Sequence, residues 1–467
     1  MNLETMCLHE GYKPQNGETR VLPIYQSTTY TYESTEHVAK LFDLTADGHM
    51  YSRISNPTVD AVEKKIAALE GGVGALCTTS GQAASLIALL NILKAGDHFI
   101  STSAIYGGTV NLFAVTLKRF GIECTFVDGE TSEEELEKAF RPNTKAVFGE
   151  TIANPAIVVL DIEKFANLAH KHGVPFIVDN TFATPILCRP FEFGADIVVH
   201  STTKYLDGHA VQVGGVIVDS GKFNWANGNF PEFTQPDDSY HGVVYTQQFG
   251  SAAYITKARV QMMRDLGAYP GAHAAWLLNL GMETLHLRME RHCANADTVA
   301  RYLEKHPKVE MVSYPTLESS PYYNRAKKYL PKGCSGVIAF SIKGGREAGI
   351  RFIDSLQLAS LVVHVADCRT CVLHPASSTH RQLTDEQLLG AGITPGLVRL
   401  SVGLENVEDI IADLGQALQR LNRGCRRPVQ GGSGTLSFGG TCCLQACAVG
   451  AYPAPNPGPK TYRGTPL

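Results

Sequence analysis

Between residues 74 and 219 the chain alternates short apolar runs with amphipathic stretches. Ala75–Thr79, His98–Ser103, Glu123–Val127, Ala146–Thr151, Phe176–Asp179, Ile197–Ser201 and Gly215–Val218 are rich in Val, Ile and Phe, the composition of strands. Gln82–Leu93, Gly108–Phe120, Ser132–Phe140 and Ile162–His172 lie between them with helical spacing. Strands that are apolar throughout have both faces covered, so the pattern predicts a mainly parallel central sheet with helices on both faces. The segment from Ser220 to Gly250 reads as loop, with Asn227-Gly228-Asn229, Pro231 and Pro236-Asp237-Asp238. Beyond it, Tyr254–Leu266 and Ala272–Leu303 predict long helices. Gly336–Ile342, Leu361–His364 and Val398–Val402 predict strands, and Val407–Leu421 a final helix. Together these suggest a smaller C-terminal α+β domain.

The N-terminal residues show little periodicity and read as an arm packed on something else, a neighbouring subunit being one choice. The expected organisation is an arm over 1–58, a large α/β domain over 59–256, a small domain over 257–423 and a tail over 424–467. That tail is rich in Gly and Pro, has four Cys and lacks Asp and Glu. Its composition predicts disorder, or the product of an altered reading frame.

With 467 residues, 44% of them apolar, the chain can bury a sizeable core. The net charge of -4 and the absence of Lys/Arg blocks argue against nucleic acid or an anionic membrane as partner. Met1 to Arg20 lacks the basic start and apolar stretch of a secretory signal. The run Ala83–Leu93 is about half the length that spans a bilayer. A cytoplasmic protein is expected. The twelve cysteines are scattered. Cys77, Cys124 and Cys188 sit in or beside apolar segments as small hydrophobes. Cys368 and Cys371 form a C-x-x-C with no second ligand pair or redox context, so no metal is expected.

In a doubly covered parallel sheet, ligands collect beyond the carboxyl ends of the strands. Polar residues do follow the predicted strands: Ser80-Gly81, Tyr106, Glu150 with Asn154, Asp179 with Thr181, and Ser201 with Lys204. Lys204 stands just past a strand, beside the hydroxyls of Ser201 and Thr203, where its amine suits a cofactor aldehyde. Taken locally, a solvated lysine reads as well, and the S-x-x-K of penicillin-recognising enzymes lacks its partner motifs. Asp179 ends an apolar strand, where an acid is costly unless paired. A pyridinium nitrogen is one suitable partner, a turn cap the plain alternative. Thr79-Ser80-Gly81-Gln82 opens an apolar helix whose free amides suit a phosphate, or else Ser80 is an ordinary N-cap. A dinucleotide fingerprint is not supported, because Gly72 and Gly74 lack the third glycine. Tyr106, in a Gly-rich loop, offers a ring to stack and a phenol for proton transfer. Arg399, inside a strand-like run, suits an amino-acid carboxylate, with a structural ion pair as the alternative.

Several longer strings contain these residues: Tyr51-Ser-Arg-Ile-Ser-Asn-Pro-Thr58, Thr79-Ser-Gly-Gln-Ala-Ala84, Val178-Asp-Asn-Thr-Phe182, His200-Ser-Thr-Thr-Lys-Tyr205, His374-Pro-Ala-Ser377 and Arg399-Leu-Ser-Val-Gly-Leu-Glu405. In this order they resemble the pyridoxal-phosphate enzymes of cysteine and methionine metabolism, from about Leu8 to Leu421. The resemblance implies a type I aminotransferase-like fold, a homotetramer of catalytic dimers and pyridoxal 5'-phosphate as cofactor. It implies that Lys204 anchors the cofactor, Asp179 pairs with its ring nitrogen and Tyr106 stacks on the ring. Ser80, Gly81, Gln82, Thr181, Ser201 and Thr203 would complete the cofactor pocket. Tyr51 and Arg53 would reach the phosphate of the neighbouring subunit, and Asn154, Thr370 and Arg399 would meet the substrate carboxylate or its surroundings. Within the family, Gln82, Gly108 after Tyr106-Gly107, and the insertion Phe230 to Gly242 with Lys257–Leu266 resemble the O-acetylhomoserine sulfhydrylase branch. The implied reaction is replacement of the γ-acetyl group by sulfide or methanethiol, giving homocysteine or methionine. The alternatives are a methionine or cystathionine γ-lyase, and an inactive cofactor-binding scaffold. Arg369, where the branch commonly carries Lys, and the tail depart from the pattern.

Overall fold

Seven strands, most of them buried along their length, build the larger sheet of this computed structural model, which describes residues 1–378, 381 and 394–421. The tail expectation for 424–467 lies outside the described residues. The strands are β1 (Gly74–Thr78), β2 (His98–Thr102), β3 (Glu123–Val127), β4 (Thr144–Glu150), β5 (Phe176–Asp179), β6 (Ile197–His200) and β7 (Gly215–Asp219). Their order across the sheet is β1-β7-β6-β5-β4-β2-β3. Strands β3, β2, β4, β5 and β6 run parallel, whereas β7 lies antiparallel to both β6 and β1. The mainly parallel prediction holds, with β7 the strand that runs against its neighbours. That strand follows β6 through the loop carrying Lys204, without the crossover helix that a parallel return requires.

Alternate side chains explain why the runs are continuously apolar. Phe176 and Val178 of β5 enter one buried cluster and Ile177 the other. Val198 of β6 likewise faces one cluster, with Ile197 and Val199 facing the second. Successive side chains of a strand point to opposite faces, so a sheet covered on both sides tolerates no polar alternation.

The second sheet has the order β10-β11-β12-β9-β8, from β8 (Val309–Ser313), β9 (Val337–Ile342), β10 (Ser360–Leu361), β11 (Cys371–Leu373) and β12 (Leu397–Ser401). The predicted strand Leu361–His364 pairs only over Ser360–Leu361, which leaves His364 in a connecting segment. The predicted helix Ala272–Leu303 is two helices, Ala272–Glu283 and Leu285–Glu304, broken at Thr284. The predicted helix Gly108–Phe120 runs from Gly107 to Arg119 with a π-helical stretch at Leu112–Thr116.

The arm is more regular than its periodicity suggests. It holds helices Leu3–His9 and Thr35–Phe42 and leads into Pro57–Glu70. That last helix is capped by Asn56, whose side chain accepts from the Thr58 amide, starts on Pro57 and ends at Gly71 with φ 80°, a left-handed C-terminal stop. It packs on β1 and on Ala272–Glu283, and Trp276 donates from Nε1 to the Leu22 carbonyl at 3.0 Å.

Candidate active site

The carboxyl ends of β1, β2, β4, β5 and β6 and the start of β7 meet along one edge of the larger sheet. A cavity of about 370 Å3 opens there, and its wall includes Ser80, Tyr106, Asp179, Lys204, His364 and Arg399. Of the residues expected in the site, Gly81, Gln82, Asn154, Thr181, Ser201 and Thr203 also line it.

Lys204 owes its position to the loop after β6. Arg288, from the helix Leu285–Glu304, donates to the carbonyls of Tyr205 at 2.7 Å, Leu206 at 3.4 Å and Gly281 at 2.6 Å. The buried Tyr205 hydroxyl accepts from the Gly336 amide at 2.9 Å. The backbone at Lys204 is thereby tied to both sheets. Burial, then the nearby charge of Arg399, lowers the Lys204 pKa to about 8, so far more of the amine is neutral near pH 7 than for an exposed lysine.

Asp179 ends β5 with its Oδ1 accepting from the Thr181 amide at 3.0 Å and from the Thr181 hydroxyl. The same hydroxyl accepts from the Ser201 amide at 2.9 Å, which links β5 to the Lys204 loop. Burial raises the Asp179 pKa, with the Thr181 bonds opposing it. Among the described residues no Lys or Arg forms an ion pair with Asp179. A cationic partner in the cavity would hold it ionised, and a protonated pyridine nitrogen has that charge. Glu150 is its register neighbour on β4. Burial, then the charge of Asp179, push its pKa well up, with the bonds from the Tyr106 and Asn154 amides opposing them. It accepts the Tyr106 amide on Oε2 at 2.7 Å.

Tyr106 is half exposed at the cavity mouth. A Cβ at Gly108 would stand 2.5 Å from its Cε1, so the missing side chain at 108 leaves room for this ring. Ser80 caps the helix Gly81–Leu90, its Oγ accepting from the Ala83 amide at 3.1 Å. The N-cap reading of Ser80 therefore holds, and the residue lies in the cavity wall as well. The amides of Gly81 and Gln82 open this helix without intrahelical partners. A Cβ at Gly81 would lie 2.7 Å from the Ser201 Cβ, so only glycine admits the approach of the two loops. Thr203 exchanges hydrogen bonds with the Gly214 backbone, at 3.2 and 3.0 Å.

Arg399 is 6% exposed on β12. It donates from Nη2 to the carbonyls of Val363 and His364, each at 3.2 Å, and from Nη1 to Asn154 Oδ1 at 3.4 Å. No acidic side chain pairs with it among the described residues, so the ion-pair alternative does not describe it. Thr370 does not line the cavity. Its hydroxyl donates to Glu405 at 2.8 Å and accepts from the Gly403 amide at 2.9 Å, which ties the chain ahead of β11 to that after β12. Tyr51 and Arg53 also lie outside this cavity wall, with the guanidinium 5.5 Å from the tyrosine ring and donating to the Arg264 carbonyl. His364 was not singled out by sequence: it follows a run that reads as strand, and no motif marks it. Cys371 lies in β11 with its thiol on the His364 carbonyl at 3.5 Å.

An amine, a buried acid without a cation, an aromatic face and a helix start with free amides fit an aldehyde-bearing, phosphorylated pyridine. A family model described as Cys/Met metabolism PLP-dependent enzyme matches residues 4–419. The chain belongs to this family of pyridoxal-phosphate-dependent enzymes. Among its relatives, an O-acetyl-L-homoserine sulfhydrylase of Leptospira meyeri is 48% identical over 90% of this chain and 97% of its own length. A homocysteine synthase of Schizosaccharomyces pombe is 48% identical over 90% of this chain and 98% of its own. A crystal structure of a candidate O-acetylhomoserine (thiol)-lyase from Campylobacter jejuni superposes with a TM-score of 0.87 at 41% identity. It covers 90% of this chain and all of that one, and carries N'-pyridoxyl-lysine-5'-monophosphate. The mainly parallel sheet with a smaller C-terminal sheet is the architecture that family membership predicts. Among the described residues no helix is long and apolar enough to cross a membrane.

Proposed function

We propose that this enzyme replaces the γ-acetyl group of O-acetylhomoserine with sulfide, or with a small thiol, releasing acetate and homocysteine or methionine. The observation that carries the reading is the end-to-end similarity, at 48% identity, to an O-acetyl-L-homoserine sulfhydrylase and a homocysteine synthase, joined to a cavity with the matching chemistry. The γ-lyase alternative is not favoured by these relatives, and an inactive scaffold predicts loss of Lys204 or Asp179, both of which are present.

In this reading Lys204 anchors the cofactor until substrate displaces it. The cofactor, when bound, supplies an electron sink that stabilises negative charge at the substrate's α-carbon. Freed, the Lys204 amine takes the α-proton, a task its lowered pKa suits. Asp179 stays ionised beside the ring nitrogen and keeps it protonated. Tyr106, at the cavity mouth, would offer its ring to the cofactor and its phenol to proton traffic. Arg399, with Asn154, holds the substrate carboxylate, Thr370 braces the surrounding backbone, and Ser80, Gly81, Gln82, Ser201 and Thr203 surround the phosphate end. Glu150 keeps the Tyr106 loop in place by accepting its amide.

The same reading divides the chain into an arm (1–58), a cofactor domain (59–256) and a small domain (257–423). It makes the working unit a cytoplasmic homotetramer of catalytic dimers, with Tyr51 and Arg53 reaching the phosphate in the neighbouring subunit. Steady-state turnover of the purified protein with O-acetylhomoserine, with and without sulfide, set beside methionine alone, is the test. Homocysteine formed only from the ester with sulfide is expected. Rapid 2-oxobutyrate from methionine with little homocysteine would replace the reading by a γ-lyase.

A further inference from the structure

The Lys204 amine has a close neighbour that the mechanism above does not use. His364 Nδ1 lies 3.5 Å from Lys204 Nζ, and on the far side of the ring His364 Nε2 faces Asp367 Oδ2 at 3.8 Å. His364 lines the same cavity. Its backbone is fixed independently of its ring: Arg399 Nη2 and the Cys371 thiol both bond to its carbonyl. Its Nε2 is buried without a hydrogen-bond partner, the nearest acidic oxygen being the one on Asp367. The order carboxylate, imidazole, amine is one in which an acid orients a histidine toward a group that exchanges protons.

We infer that His364 is a catalytic proton acceptor for Lys204, taking from its ammonium the proton that Lys204 has removed from the substrate and returning it when carbon is reprotonated. The inference rests on the proposed γ-replacement, which removes one proton from Cα and a second from Cβ before the acyl group leaves. An amine holds one abstracted proton at a time. In the first step the Cα–H bond breaks, its electron pair stays on the substrate and an N–H bond forms on Lys204. That N–H bond then breaks toward His364 Nδ1, leaving a neutral amine and an imidazolium whose Nε2–H faces Asp367. Lys204 is thereby emptied for the Cβ proton. The reverse path returns each proton, so no oxidant or other co-reactant is consumed.

The surroundings of the ring keep the resting imidazole neutral and make it a temporary holder that readily gives its proton back to Lys204. Burial lowers the His364 pKa, and Lys204, Arg399 and Arg369 lower it further, with Asp367 opposing them. Lys204 and His364, 3.5 Å apart, titrate as a coupled pair, so the protonation of each is felt by the other.

The test uses His364→Asn, whose Oδ1 still accepts a hydrogen bond from Lys204 but takes up no proton. His364 is a partly exposed wall residue, so an unaltered Tm and near-visible absorption are expected. In the loaded enzyme kcat for O-acetylhomoserine with sulfide is expected to fall about 100-fold, in the range of lost acid–base catalysis, with KM within about twofold. The acid limb of log kcat against pH should lose one inflection. A non-reacting amino acid in D2O should show slower washout of its α-proton, because the abstracted proton is trapped on Lys204. A further readout needs no turnover. In the cofactor-free full-length chain, the pH dependence of Lys204 acetylation, followed by mass spectrometry, should show two inflections in the wild type and one in the variant. Unchanged kcat and washout in His364→Asn overturn the inference. If the wild type does not use O-acetylhomoserine, the proposed function fails. The labelling and washout still decide the relay, loss of the second inflection and slower washout supporting it and identical profiles removing it.

Discussion

Arg399→Lys isolates what the guanidinium contributes beyond its charge. The arginine is buried on β12, spends Nη2 on two backbone carbonyls and leaves its Nη1 side toward Asn154 and the cavity. A substrate carboxylate approaching that side can take two charge-assisted hydrogen bonds from the fork. A lysine ammonium supplies one at most, from a more flexible stem. Hydrogen bonds to charged groups contribute about 1.5–3 kcal/mol each, and each 1.4 kcal/mol is about tenfold in affinity. The expected result is a KM for O-acetylhomoserine raised about 10- to 100-fold at saturating sulfide, with kcat changed severalfold at most. Near-visible absorption of the loaded variant should be unaltered, since Lys204 and Asp179 are untouched. An O-acetylated amino alcohol of the same chain length, without the carboxylate, should be turned over equally poorly by both forms. A normal KM with a collapsed kcat would refute the reasoning, because Arg399 would then matter only as a brace for the Val363–His364 wall.

Three further outcomes follow from the same geometry. Glu150→Gln keeps an acceptor for the Tyr106 amide and should leave kcat within about twofold. Glu150→Ala strands that amide at a cost of about 1–3 kcal/mol and should lower kcat about tenfold or more, both read by steady-state kinetics. Gly81→Ala places a Cβ 2.7 Å from Ser201 Cβ and should weaken cofactor binding at least about tenfold, measured by titrating the cofactor-free chain with pyridoxal phosphate. Lys204→Met should stabilise the cofactor-free chain at pH 7. The folded pKa of about 8 lies below the ordinary lysine value of 10.5, so the unfolded chain binds more protons between those values and stability rises with pH through that window. Below about pH 8 the full penalty applies, about 3–4 kcal/mol from a shift of this size. Thermal melts should therefore show wild type and variant converging as pH rises toward 10.5, whereas a constant gap would mean that burial of the charge is not the cause.

Much of this arrangement is legible in the sequence, and the reasons for what is not differ from place to place. A continuous apolar run locates β5 to the residue, because nothing but a doubly covered strand calls for Phe176-Ile-Val178 without a polar break. Such runs say nothing of direction, so the antiparallel course of β7 is not legible: Gly215–Val218 looks identical whichever way it enters the sheet. The helix Pro57–Glu70 carries readable stop and start signals at Asn56-Pro57 and Gly71. Buried Glu63, Lys65 and Glu70 blur its apolar stripe, since their partners, such as Arg259 and His200, lie far away in the chain. Cavity residues at strand ends are foreseeable from the sheet rule. His364 is not, because it reaches Lys204 from an irregular segment whose path is set by Arg399 and Cys371. Thr370 stands in the expected neighbourhood but turns toward Glu405, a choice made by a carboxylate 35 residues away.

The ties that hold the Lys204 loop set a timetable for the newborn chain. Lys204 and Asp179 leave the ribosome well before Arg288 and Gly336, whose bonds to the carbonyl and hydroxyl of Tyr205 pin that loop, and before Arg399, which closes the cavity. A nascent chain halted near residue 256 therefore carries the anchoring amine on an unbraced loop. Cofactor capture becomes a late event in synthesis, and a truncated product is exposed to turnover before it can acquire colour.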